Sequence, residues 1–85
     1  MTVSSKTSVR DVWPVKQIRL YKNLGLRVRS LRTERGMTQE ALAKKVGLTR
    51  TSLTNIEKGR QKLLLHTVVD IASVLGVTVA ELFPE

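Results

Sequence analysis

Apolar residues recur at intervals of three and four along most of the chain, which is the spacing of an amphipathic helix. Pro14 suits a first helical turn and the residue before it prefers an extended backbone, so a first helix is expected from Pro14 to near Gly36. Gly25 lies inside that helix at a cost of about 1 kcal/mol relative to Ala, and we expect a close approach of another helix there. The repeating apolar positions are Ile18, Tyr21, Leu24, Val28 and Leu31.

Two short helices joined by a tight turn are predicted for residues 38–58. Thr38 is a suitable N-cap for the second helix, and Gly47 suits the left-handed position that ends it. Thr49 then caps a third helix, which is expected over 49–58 and stops before Gly59. This arrangement is a helix-turn-helix.

The rest of the chain predicts a fourth helix over 65–75 and a short fifth one. Thr78 and Glu81 have the spacing of a capping box for the fifth helix. We therefore expect an all-α fold, a compact five-helix bundle. It would form one domain over residues 14–85, preceded by an N-terminal arm over residues 1–13 that is flexible or loosely docked.

The outer face of the third helix is built from residues that form helices poorly but contact bases well. Each Thr, Ser or Asn there costs roughly half a kcal/mol of helix propensity relative to Ala. Arg pairs with guanine, Asn with adenine, and a Thr methyl packs on the thymine methyl. A solvated polar face is the plainer alternative. The residues are Arg50, Thr51, Thr54, Asn55 and Lys58.

Charge strengthens the first interpretation. The net charge is +8, and residues 63–85 contain no Lys or Arg. A basic end and an apolar end suit a polyanion on one side and a protein on the other. Nucleic acid is the leading polyanion, with an anionic membrane surface as the rival. Neither a transmembrane span nor a signal peptide is predicted, so we expect a cytoplasmic protein that does not enter the membrane.

An enzyme is not expected. The chain has seven carboxylates, one His and no Cys, with no convergent set of nucleophile, acid and base. His66 has no second His and no Cys to share a metal, so neither a metal site nor a cofactor is predicted; a surface or capping role is expected for it.

The sequence resembles the Cro/phage-repressor (Xre-type) helix-turn-helix family over about 60 residues, from Leu24 to Phe83. The resemblance implies a lambda-repressor-like DNA-binding domain that places its third helix in the major groove, usually as a dimer on a near-palindromic site. It is carried by Leu24-Gly25, Leu31-Arg32, Arg35-Gly36-Met37-Thr38-Gln39, Leu42-Ala43, Val46-Gly47-Leu48-Thr49, Ile56-Glu57-Lys58-Gly59-Arg60, Ile71-Ala72, Leu75-Gly76-Val77 and Glu81-Leu82-Phe83.

Roles follow from this resemblance position by position. Base contacts are implied for Arg50, Thr51 and Asn55. Gln39 falls where the family binds phosphate, and we expect further phosphate contacts from Thr54, Lys58 and Arg60.

Glu57 lies in the last turn of its helix, where a carboxylate opposes the helix dipole and requires a cationic partner. The resemblance implies that this partner is Arg32 on the first helix, in a structural ion pair. A solvated Glu57 is the alternative.

Three consecutive leucines, residues 63–65, replace the polar loop that the family usually has. A small bundle cannot bury all three by alternate placement, so at least one is expected to be exposed. This exposure predicts a dimer or partner surface at Leu63, Leu64, Val77 and Val79. The alternative is that the arm or the fifth helix buries all three leucines.

Two functions follow. The first is a sequence-specific regulator of transcription, a dimeric repressor of double-stranded DNA. The second is an antitoxin-type module that neutralises a partner protein, such as a toxin encoded in the same operon, and regulates its own operon.

Overall fold

The structure, a computed structural model, describes residues 9–83 and the side chains of residues 18–83. Within that part of the chain the fold is all-helical, with no strand. The elements are α1 (Val9–Glu34), α2 (Gln39–Lys45), α3 (Arg50–Glu57), α4 (Leu65–Leu75) and a 3₁₀ turn (Ala80–Leu82).

The predicted start of the first helix is wrong. α1 begins at Val9 and continues through Pro14. Pro14 is the sixth residue of α1 and lacks the N–H that would donate one internal hydrogen bond, yet the helix continues through it. Five residues of the expected arm, 9–13, are thus helical, while residues 1–8 of that arm lie outside the described residues.

The expected five-helix count is also not confirmed, because the fifth element is a single 3₁₀ turn of three residues. Phe83 leaves helical geometry with φ −111° and ψ 82°, and it precedes Pro84, which disfavours a helical residue before it. The segment therefore ends after one turn.

The predicted capping box is present at this turn. The Thr78 N–H donates to Glu81 Oε1 at 2.8 Å, and the Glu81 N–H donates to Thr78 Oγ1 at 3.2 Å. The backbone and side-chain hydrogen bonds from Thr78 hold the pKa of Glu81 below its ordinary value. The carboxylate form is the one that fits the cap.

One apolar core holds the helices together. The apolar faces of α1, α2, α3 and α4 meet there, and Leu24, Val28 and Leu31 of the predicted α1 positions are buried. The other two predicted positions are not, since Ile18 is 59% exposed and Tyr21 is only half-buried. The side chains that are essentially inaccessible to solvent are Leu24, Val28, Leu42, Leu53, Ile56, Ile71, Leu75 and Leu82.

The turn between α2 and α3 has the predicted form. Thr38 and Thr49 cap the two helices, each accepting a hydrogen bond at 3.0 Å, from the Ala41 and Ser52 N–H respectively. Gly47 is left-handed with φ +72°, and Leu48 then packs against the core. The turn fixes α3 beside α2 as a helix-turn-helix.

Candidate nucleic-acid interface

α3 presents one face to the core and the opposite face outward. Leu53 and Ile56 are buried, whereas Arg50 and Thr51 are exposed and Asn55 is half-buried. The structure thus leaves all three predicted base-contact residues accessible on α3, with Arg50 and Thr51 in its first turn. Guanidinium, hydroxyl and amide groups are the donors and acceptors that read base edges.

A buried ion pair joins α1 to α3. Arg32 Nε donates to Glu57 Oε2 at 2.6 Å, and Arg32 Nη2 donates to Glu57 Oε1 at 3.1 Å. Arg32 Nη1 also donates to the Met37 carbonyl at 2.7 Å. The pairing expected from the resemblance is therefore present. It is buried and bidentate, which fixes the angle of the guanidinium as well as its distance.

Gln39 connects this pair to the outer face of α3. Its Nε2 donates to Glu57 Oε1 at 2.9 Å, and its Oε1 accepts from Thr54 Oγ1 at 3.0 Å. The amide carries a second hydrogen that this network does not use. Gln39 lies at the start of α2, so that hydrogen and the N-terminus of the helix are available to an anion.

The Thr54 hydroxyl is engaged within the protein. It lies 2.9 Å from the Arg50 carbonyl as well as 3.0 Å from Gln39 Oε1. A hydroxyl has one hydrogen, which these two acceptors share, so a Thr54 hydrogen bond to phosphate requires that hydrogen to leave both of them. The geometry favours a role for Thr54 in positioning Gln39.

Sequence reasoning missed the Gln39–Glu57 and Gln39–Thr54 bonds. Both depend on side-chain conformations across the α2–α3 turn, which periodicity and spacing do not specify. Lys58 and Arg60, the other two residues with predicted phosphate contacts, are exposed and follow the end of α3 at Glu57.

The leucine segment is partly exposed, as predicted. Leu63 packs against the core, but Leu64 is 68% and Leu65 is 75% exposed. The alternative in which all three are buried is therefore wrong. Val77 and Val79 are half-buried and also pack against the core, so each offers less surface than the two leucines.

His66 is exposed in the first turn of α4, and α4 has no side-chain cap. In the part of the chain that the structure describes, no three His, Asp or Glu side chains are grouped as metal ligands. No helix there has the length and apolar composition needed to cross a membrane.

Comparison with known proteins identifies the family of this chain. Residues 28–82 match the helix-turn-helix family HTH_3. An uncharacterized HTH-type transcriptional regulator from Archaeoglobus fulgidus is 42% identical over 57 residues, which are 67% of this chain and 81% of that protein. The immunity repressor protein of Bacillus phage phi105 is 37% identical over 62 residues, or 73% of this chain and 43% of the repressor.

A solved structure shows the same fold. The crystal structure of the restriction-modification controller protein C.AhdI from Aeromonas hydrophila superposes with a TM-score of 0.71 at 35% identity. The superposition covers 74% of this chain and 96% of the controller protein. These three relatives are regulators by name. The structure of hydroxypropylphosphonic acid epoxidase from S. wedmorenis, an enzyme, also superposes with a TM-score of 0.72 at 27% identity, over 76% of this chain but only 35% of the epoxidase chain.

Proposed function

Because this chain belongs to the helix-turn-helix family HTH_3 of transcriptional regulators, we propose that it is a dimeric repressor of a near-palindromic operator. α3 enters the major groove, and Arg50, Thr51 and Asn55 read the bases. Such a protein acts where the DNA is, so we place it in the cytoplasm.

The observation that supports this proposal is that one face of α3 is fixed in the protein while the opposite face is accessible. Its inner face is fixed by Leu53 and Ile56 in the core and by Glu57 in the buried ion pair. The side chains of Arg50 and Thr51 take no part in the core or the ion pair and are exposed. Rigid support under accessible donors is what base recognition requires.

Phosphate contacts supply most of the binding free energy in this proposal. Gln39 with the N-terminus of α2 binds phosphate on one side of α3, and Lys58 and Arg60 bind phosphate beyond its other end. These contacts orient the protein on any duplex, and the base contacts then select the operator.

We infer a dimer from the length of α3 and from the exposed leucines. α3 has eight residues, and one such helix reads only one half-site. Leu64 and Leu65 are largely exposed at the end of the sequence that lacks Lys and Arg. We place the dimer contact there, with Leu63, Val77 and Val79 at its edge.

Single substitutions on α3 test the proposed base contacts. Arg50→Ala and Asn55→Ala should each weaken binding to the operator by about 1–3 kcal/mol and relax the preference at one base pair. The measurement is titration of each variant against the operator and its single-base-pair substitutions. Unchanged discrimination at every position would refute the assignment.

Lys58→Ala is the matched control for these variants. It should weaken operator and random DNA alike and lower the salt slope by about one per protomer, because a phosphate contact carries no sequence information. A loss confined to the operator would show that Lys58 reads bases instead.

The exposed leucines also favour a second candidate, the antitoxin-type module. In that case Leu64 and Leu65 bind a partner protein such as a toxin. Co-purification of a second protein with the chain expressed from its native operon would favour this function. A homodimer that forms from the purified chain alone, through the same leucines, would argue against it.

A further inference from the structure

A groove of about 620 Å³ lies between α1 and the carboxyl end of α3. It is separate from the outer face of α3 that carries the proposed base contacts. Its walls come from α1 on one side and from the α3–α4 connection on the other. The lining residues are Lys22, Leu26, Arg29, Glu57, Lys58, Gly59 and Arg60.

The groove is strongly cationic. Four of its lining residues are Lys or Arg, and Glu57 is the one acid. Both carboxylate oxygens of Glu57 are already bound, by Arg32 and by Gln39. The ion pairs within residues 18–83 are Arg32–Glu57 and Glu34–Arg35, so none of the four cations is neutralised by a carboxylate of that segment.

Two glycines bring these charges together. A Cβ at Gly25 would overlap the Ile56 carbonyl oxygen and lie 2.7 Å from that of Glu57. A Cβ at Gly59 would lie 2.7 Å from Lys22 Cα. The end of α3 and the residues after it therefore rest directly on α1, which holds Lys58 and Arg60 on the same groove as the α1 cations.

The spacing on α1 completes the groove. Lys22 and Arg29 are seven residues apart, or about two helical turns, so both lie on the side of α1 that also carries Gly25 and Arg32. That side is the one that faces α3, as the Gly25 contact and the Arg32–Glu57 pair show. The cations of α1 and those of the α3–α4 connection therefore line the same groove.

We propose that this groove binds the phosphate backbone of DNA beside the base pairs that α3 reads, with Lys22 and Arg29 as contacts additional to Lys58 and Arg60. The proposal rests on the proposed function. A concave groove suits an extended polyanion better than it suits the flat surface of an anionic membrane. Leu26 is its only large apolar lining residue, too little for insertion into lipid.

Charge removal in pairs tests this proposal. Lys22→Gln/Arg29→Gln is compared with Lys44→Gln/Lys45→Gln, which removes the same charge from exposed positions in the last turn of α2. Operator affinity is measured as a function of salt. The first pair should lower the salt slope by about two per protomer, or about four for the proposed dimer, so that the loss of operator affinity is on the order of a hundredfold larger at 50 mM than at 200 mM salt.

The second pair should leave the slope near that of the unmodified protein. Lys22→Arg/Arg29→Lys, which keeps both charges, should do so as well. Ethylation interference should show the contact directly. Some phosphates should block binding of the unmodified protein when they are ethylated. Those that Lys22 and Arg29 contact should no longer block binding of Lys22→Gln/Arg29→Gln.

Four results would overturn the proposal. An unchanged slope and interference pattern with a lowered melting temperature would mean that the cations stabilise the carboxyl end of α3 through its dipole. A loss of binding to anionic phospholipid vesicles alone would assign the groove to a membrane. If the unmodified protein binds no operator, the proposed function fails as well; if it binds and the pair has no effect, only this inference fails.

Discussion

At the scale of single residues, Gly25 shows what a sequence does and does not specify. A glycine inside a helix indicates a close approach, because its conformational freedom is otherwise a cost. That approach is confirmed in the structure, where the Ile56 and Glu57 carbonyls occupy the space of a side chain. Which element makes the approach depends on the packing of α3 across α1, and spacing along the sequence does not specify it.

Gly25→Ala should therefore destabilise the protein. At an ordinary helical position the change would stabilise by about 1 kcal/mol, but here it forces backbone apart, and overpacking of this kind costs about 1–3 kcal/mol. Urea denaturation provides the measurement. Ser30→Ala, at an exposed position of the same helix, is the control and should be neutral or slightly stabilising. An increase in stability for Gly25→Ala would contradict the packing of α1 on α3.

At the scale of elements, the helices around the turn were predictable because their signals are local. Thr38 and Thr49 cap their helices, Gly47 is left-handed, and α4 covers the predicted 65–75. The start of α1 was not predictable, since the preference for a boundary at Pro14 is weaker than the tendency of the surrounding helix to continue. The 3₁₀ turn differs from a fifth helix only in its length, which a capping box does not specify.

The network that joins the elements was predicted in part. The Arg32–Glu57 pair came from the family resemblance, while the bonds of Gln39 required the packed arrangement of α2 on α3. These bonds give the carboxylate of Glu57 partners on both α1 and α2. This buried carboxylate therefore contributes, with Leu53 and Ile56 in the core, to the orientation of α3 relative to α1 and α2.

Arg32→Met should cost about 3–5 kcal/mol of stability, because it leaves the Glu57 carboxylate buried without its cationic partner. Arg32→Met/Glu57→Met removes both charges and should recover part of that loss. Chemical denaturation of the single and double variants measures the coupling. Should the double variant lose as much as the two single variants together, the two side chains would be energetically independent and the proposed tie between α1 and α3 would be wrong.

At the scale of the whole molecule, the exposed leucines and the cationic surfaces lie in different parts of the chain. Residues 63–85 carry no Lys or Arg, and Leu64 and Leu65 begin this segment. We propose that a dimer built on Leu64 and Leu65 leaves the outer face of α3 accessible to DNA. The sequence predicted an exposed apolar segment from three consecutive leucines, but the structure was needed to show that Leu63 is the one that packs inward.

Leu64→Ser/Leu65→Gln should shift the protein from dimer to monomer without harming the fold. Leu64 occupies the N-cap of α4 with an extended backbone and no side-chain hydrogen bond, so Ser there should stabilise the helix by about 1 kcal/mol. Sedimentation equilibrium measures the association of the protomers. Thermal unfolding measures the stability of the fold. Leu20→Gln, an exposed residue of α1, is the control. A variant that remains fully dimeric would place the interface elsewhere.

The central claim is that α3 reads a sequence in double-stranded DNA. Selection of binding sites from a pool of random duplexes, with the purified protein, tests it most directly. The expected result is one enriched near-palindrome whose half-sites lie about one helical turn apart, 10–10.5 base pairs centre to centre. Recovery of duplexes with no common sequence, at an affinity equal to that for the unselected pool, would contradict the claim.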